Sequence, residues 1–203
     1  ENAHYRYFLA LALKDDVAMS AEREENRIRQ ELETALRLYP RHAAAARELA
    51  WYYSRTLVNL HKALAFSGLA CRIHPDSVAS RVLHLELLKV AGLEAPAEVE
   101  SQDLARRYPD HPLVLGRLAK RAYERSDFAG ARERFARALE LEPMNAAARI
   151  GLTESLLHLG KADEARATLA GFLSLDPWAL AARLQMARIA EGLGHWEEAA
   201  QEI

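Results

Sequence analysis

"DFAGARERFARALELEP", residues 127–143, decides the fold. Ala131, Phe135 and Ala138 stand four and three residues apart, and Pro143 follows five later. Spacings of three and four mark one stripe of a helix. Two of the three stripe residues are Ala, which suits a helix pressed close to a neighbour. Pro143 lacks an amide hydrogen and forbids the helix from continuing. The charged residues between the stripe positions form a solvated outer face.

The same ending recurs along the chain. "ALRLYP", "ACRIHP", "LARRYP", "ALELEP" and "FLSLDP" place Pro40, Pro75, Pro109, Pro143 and Pro177 at spacings of 35, 34, 34 and 34. Upstream of these endings come polar turns. Gly92, Gly160 and Gly194 share one phase, 68 and 34 residues apart, and a Gly there can end a first helix in the left-handed conformation. Asp127 is placed to cap the second helix. Each unit is therefore predicted to be helix, tight turn, helix and a Pro-marked turn. Each helix has about 13 residues and a length of about 20 Å. One such hairpin cannot bury its apolar face alone, so the units must stack. Phe135 is expected to fill the space between repeats, and Ala165, Leu169 and Phe172 carry the same stripe in the next one.

These features resemble the tetratricopeptide-repeat family. Residues 112–145 carry its marks as Leu115, Leu118, Ala119, Asp127, Phe128, Ala131, Phe135, Ala138 and Pro143. Residues 146–179 carry them as Leu152, Gly160, Ala165, Leu169 and Pro177. Residues 180–203 begin another unit with Met186, Ala187, Gly194, Trp196 and Ala199. Residues 43–77 match with one extra residue, through Leu49, Ala50, Tyr53, Ala63, Ala70 and Pro75. Residues 78–111 depart from the pattern at His84 and Leu85, and Pro96 sits where a second helix starts, a position that tolerates it. Residues 1–42 diverge most. The resemblance implies an all-α, right-handed superhelical solenoid of antiparallel helix pairs. It would fill residues 1–203 with about five and a half units and about twelve helices.

Composition narrows the function. The 203 residues are half hydrophobic and 28% charged, with a net charge of −2, which gives no general reason to expect nucleic acid or an anionic membrane as partner. Arg132, Arg134 and Arg137 are interleaved with Glu133 and Glu140 and read as a solvated face. No apolar run approaches the roughly 20 residues of a membrane span, and "YFLALAL" near the start reads as a buried helix rather than a signal peptide. Compartment is left open between cytoplasm and periplasm. Arg- and Ala-rich composition hints at a bacterial source. Cys71 is the sole cysteine, so no intrachain disulfide or cysteine cluster can form. It lies beside Ala70 on the inward stripe and reads as an inert buried thiol.

Searching for chemistry finds none. No two of the eight histidines stand three to five residues apart, and no H-E-x-x-H occurs. His42, His74 and His111 fall in the turns between repeats and read as solvated turn residues. His84 occupies a position where the family buries Leu and reads as a hydrogen-bonded core residue. No G-x-S-x-G or phosphate-cradling glycine motif is present. The expectation is therefore no enzyme, no cofactor and no metal.

The family resemblance implies a concave groove lined by the first helix of each unit. Carrying the phase forward places Arg47, Trp51, Val82, Glu86, Lys120, Tyr123, Ile150, Glu154, Leu157, Leu184 and Arg188 there. Apolar anchors with charges of both signs suit an amphipathic helix or extended peptide of a partner protein. The Lys/Asn/Arg clamp with which one subgroup holds chaperone tails is absent. Two other readings are a recognition region of a larger bacterial enzyme or export machine, such as exopolysaccharide export, and a module that self-assembles through its ends. The chain lacks an initial Met and stops at Ile203 within a second helix, so it is expected to continue in a longer protein or to pair with another copy.

Overall fold

Helices account for all the regular structure among the described residues. The computed structural model describes residues 2–15, 21–55, 59–192 and 194. There are eleven helices among them: α1 Ala3–Asp15, α2 Ala21–Leu38, α3 Ala43–Ser54, α4 Leu60–Ile73, α5 Val78–Val90, α6 Glu94–Arg107, α7 Pro112–Glu124, α8 Phe128–Leu141, α9 Ala146–His158, α10 Ala162–Leu173 and α11 Leu180–Gly192. The expected twelfth helix, with Trp196, Ala199 and Ile203, lies outside the described residues.

The chain divides after Arg106 into two compact units. In the first, α1 packs on α2 and α3 on α4, while α3 also touches α5. Its core is made of small side chains around a few large ones: Ala45, Ala46, Leu49, Ala50 and Ala63 are fully buried. Tyr53 stacks on Phe66 at 5.7 Å and donates its hydroxyl to Glu33. Arg81, on α5, is buried and reaches Glu100 and Asp103 of α6, each at 2.7 Å. Those carboxylates hold its guanidinium firmly charged.

In the second unit α7 packs on α8, α8 on α9, α9 on α10 and α10 on α11. The stripe read from 127–143 is buried as expected: Ala131 and Ala138 are inaccessible and Phe135 is 7% exposed. Phe135 lies so close to α9 that a Cβ added to Gly151 would overlap its ring. Arg132 and Arg137 stay at the surface, where Arg137 pairs with Glu140 at 2.6 Å.

The turns explain the period. Leu93, Asp127 and Lys161 each donate a backbone amide to the carbonyl five residues back, at 2.9 Å, and close a Schellman motif. The residue before each is left-handed: Gly92, Ser126 and Gly160, with φ of 71°, 63° and 73°. Asp127 caps α8 by accepting from the Gly130 amide at 2.9 Å.

Four of the five first helices that follow a marking proline are capped by the side chain two residues after it; after Pro177 that residue is Ala179, which has no side-chain acceptor. His42, Ser77, His111 and Asn145 accept amides of α3, α5, α7 and α9 respectively. The solvated-turn reading of the histidines is corrected for His42, which is 6% exposed and accepts from Ala45 through Nδ1 at 3.3 Å. Nδ1 offers a lone pair as a carboxylamide oxygen would, which lets an imidazole serve as a cap. His84 is half-buried with Nδ1 2.8 Å from the Ser67 hydroxyl, as a hydrogen-bonded core residue should be. Cys71 is half-buried rather than buried, and loss of solvation pushes its thiol up to about 11.

Gly151→Ala should destabilise the chain by about 1–3 kcal/mol through overpacking, and Phe135→Leu in the same chain should recover part of that loss. Urea unfolding of the parent and three variants checks this.

Ser126 occupies a left-handed position for which a Cβ costs about 1–2 kcal/mol. Greater freedom of glycine in the unfolded chain offsets part of the gain. Ser126→Gly should therefore raise stability by about 0.5–1 kcal/mol, read as a higher denaturation midpoint at unchanged slope.

Burial, reinforced by His4, lowers the pKa of His42 below its ordinary 6.5, and burial does the same to His84. Both groups bind protons more readily unfolded, so their contribution to stability is full above pH 6.5 and declines as pH falls below it. Unfolding free energy should drop between pH 7.5 and 5.5, and His42→Asn, which keeps a capping oxygen, should flatten part of that slope.

Candidate peptide groove

Helices α7 and α9 are the first helices of two successive repeats, and their facing sides enclose a cavity of about 520 Å³. Leu113, Gly116, Arg117 and Lys120 line it from α7, with Tyr123 and Glu124 at the end of that helix. Ala147, Ile150, Gly151 and Glu154 line it from α9, and Phe135 with Ala148 reaches it from below. Gly116 leaves open space where a side chain would stand. The volume falls in the range of sites that hold a few side chains of a ligand.

Four residues predicted from phase meet here: Lys120, Tyr123, Ile150 and Glu154. Tyr123 is half-buried and fixed by edge contacts at 5.4 Å with Phe128 and with His158. These two rings stack on each other at 4.2 Å. Tyr123 therefore contributes to packing and to the wall at once. Burial, with Glu154 nearby, raises its phenol pKa, so the hydroxyl remains a donor at neutral pH. Lys120 is exposed and stands 4.0 Å from the equally exposed Glu124, a pair worth little in water. Glu154 accepts from Gln185 Nε2 at 3.0 Å, which ties α9 to α11.

The remaining predicted residues are placed as follows. On α9 Leu157 is 38% exposed, and on α11 Leu184 is 42% exposed and Arg188 also faces solvent. In the first unit Trp51 is 44% exposed with the Arg55 guanidinium 5.8 Å over its ring. Arg47 is half-buried and paired with Glu48 at 3.1 Å. Glu86 is half-buried, whereas Val82 is 5% exposed and belongs to the core. Phase alone placed Val82 one face too far outward. Leu113, Gly116 and Arg117 were missed, although they sit three to four residues apart below Lys120 and continue its stripe.

No described helix is long and apolar enough to cross a membrane. Among the described residues no group of three His, Cys, Asp or Glu is placed to hold a metal.

Comparison with known proteins agrees with this architecture. Residues 122–173 match the tetratricopeptide-repeat family model. Comparison of the sequence with curated proteins gave no match. Among solved structures, yeast Tom70 is 19% identical with a TM-score of 0.74, over 99% of this chain and 42% of Tom70. This chain thus spans less than half of that protein's length. PilW, described as a widely conserved type IV pilus biogenesis factor, is 19% identical with a TM-score of 0.73, over 98% of this chain and 90% of PilW. TTC0263 of Thermus thermophilus, a thermophilic repeat protein of the same kind, is 20% identical with a TM-score of 0.73, over 92% and 98%. At such identities the likeness concerns the fold. Residues 122–173 match the tetratricopeptide-repeat model, and the described helices on both sides continue the same helix-pair fold.

Proposed function

We propose that the chain is a protein–protein interaction scaffold whose α7–α9 groove holds a segment of a partner protein. The observation that carries this reading is the open cavity between two first helices, with an apolar base and charges of both signs at its edges. Leu113 and Ile150 offer apolar contact, Arg117 and Lys120 offer cations, and Glu154 offers an anion. An amphipathic helix or an extended peptide with one apolar anchor and flanking charges fits that pattern. Two apolar side chains in a concave site can supply most of the affinity, with the charges setting orientation. Trp51, Leu157, Leu184 and Arg188 are proposed as further contacts on their own helices. No residue is assigned a catalytic role.

The test is selection of peptides from a random display library, followed by affinity measurement. Selected peptides should share an apolar anchor. Ile150→Asp and Lys120→Glu should each weaken them about tenfold, about 1.4 kcal/mol, while the melting temperature stays near that of the parent. Tyr123→Ala should reduce both binding and stability, because its ring also packs on Phe128 and His158. Peptides that bind Ile150→Asp and Lys120→Glu as well as the parent would remove the groove from the proposal.

A further inference from the structure

We propose that a polar pocket in the first unit, between the turn before α3 and the turn before α5, is a binding site for an anionic group of the phosphate or carboxylate type. This goes beyond the peptide groove and shares with the predicted groove residues only Arg47.

The pocket encloses about 550 Å³. Its wall carries His4, Arg41, His42, Arg47 and His74, together with the hydroxyls of Ser77 and Ser80, and no carboxylate. Glu48, next to Arg47 on α3, pairs with it at 3.1 Å and is not part of the wall. Asp76 makes contacts of its own and is not part of the wall. Ala43 and Ala44, the first residues of α3, also line the pocket, as does Ser77, the N-cap of α5. Two helix starts thus add their partial positive charge to that of the side chains.

His42 supplies an independent sign that a ligand is expected. It is 94% buried by its 6% exposure, and its Nδ1 accepts the Ala45 amide at 3.3 Å. That bond requires the neutral ring to carry its hydrogen on Nε2. Nε2 is shut off from solvent and has no hydrogen-bond partner. A buried donor without an acceptor is rare and costly in folded proteins. An oxygen anion seated in the pocket supplies the missing acceptor, and the surrounding cations supply the charge. The Tyr7, His4 and Tyr39 rings surround that of His42 at 4.8, 4.9 and 6.2 Å between centroids. His4 and Tyr39 are exposed and line the pocket, and one of them must move aside to admit the anion.

The test uses the full chain, with inorganic phosphate and succinate as separate probes at constant ionic strength and sodium chloride as the control. Binding is followed by imidazole nitrogen NMR and by calorimetry. His42→Asn keeps an oxygen for the Ala45 amide and lacks the Nε2 donor. Arg41→Gln removes one cation from an exposed position and leaves the cap untouched. The expected result is saturable binding of one equivalent of phosphate or succinate, with the His42 nitrogens among the most shifted, and a loss of about tenfold or more in both variants. The melting temperature of Arg41→Gln without anion should match the parent. Saturation by phosphate alone identifies a phosphate monoester as the ligand chemistry, and stronger saturation by succinate identifies a carboxylate. Binding no stronger than that of chloride, or equal binding by parent and Arg41→Gln, would overturn the proposal. Loss of the peptide groove in the preceding test would leave this outcome unaffected, since Ile150 and Lys120 lie in the other unit.

Discussion

In the second unit the Phe135 ring lies directly against the backbone of Gly151. An aromatic ring fills the volume that a side chain would otherwise occupy, so α9 is held against α8 with one face fixed inward. Because the helical period is set, that contact also determines which residues of α9 face α7. Ile150 and Glu154 come to the groove for this reason, one before and three after Gly151. The groove is therefore a by-product of repeat packing. Its position depends on a buried contact in which neither partner is polar.

Small side chains make such close packing possible, and they bring hydroxyls into the core with them. Thr153 and Ser155 are inaccessible, yet each returns its hydroxyl to the carbonyl of its own helix four residues back, at 2.9 and 2.7 Å. Ser67 returns its hydroxyl to the Leu64 carbonyl, three residues back, at 3.1 Å. No burial penalty is left on these groups, because the helix itself supplies the acceptor. Arg81 follows another route. It is covered by two acids of the neighbouring helix, and its guanidinium geometry lets one side chain address both.

Much of the fold was legible because a repeat prints the same physical demands several times. The co-phased prolines, the Ala131/Phe135/Ala138 stripe and the glycines at 92 and 160 all mark features that the structure contains. Ser126 shows where such reading weakens: it has the glycine phase and the left-handed backbone, but its residue type does not announce it. The groove was legible only in part. Of the residues that helical phase names, Lys120, Tyr123, Ile150 and Glu154 line the cavity between α7 and α9. Phase misplaced Val82, since a shift of one residue, about 100° of helix, separates wall from core. The cap role of His42 and His111 was hidden by grouping them with His74, which precedes its proline instead of following it.

The cap position has a consequence for how such chains diversify. At four of the five marking prolines the residue two after presents a lone pair to the next helix, while Ala179 after Pro177 presents none. Imidazole, hydroxyl and amide all fill that role at 42, 77, 111 and 145. Whatever else the residue carries is left to selection. A serine spends its only heteroatom on the helix, whereas a histidine has a second nitrogen to spare. Exchange at this one position can thus add or delete a recognition group without altering the architecture, and an array of repeats holds as many such slots as it has turns.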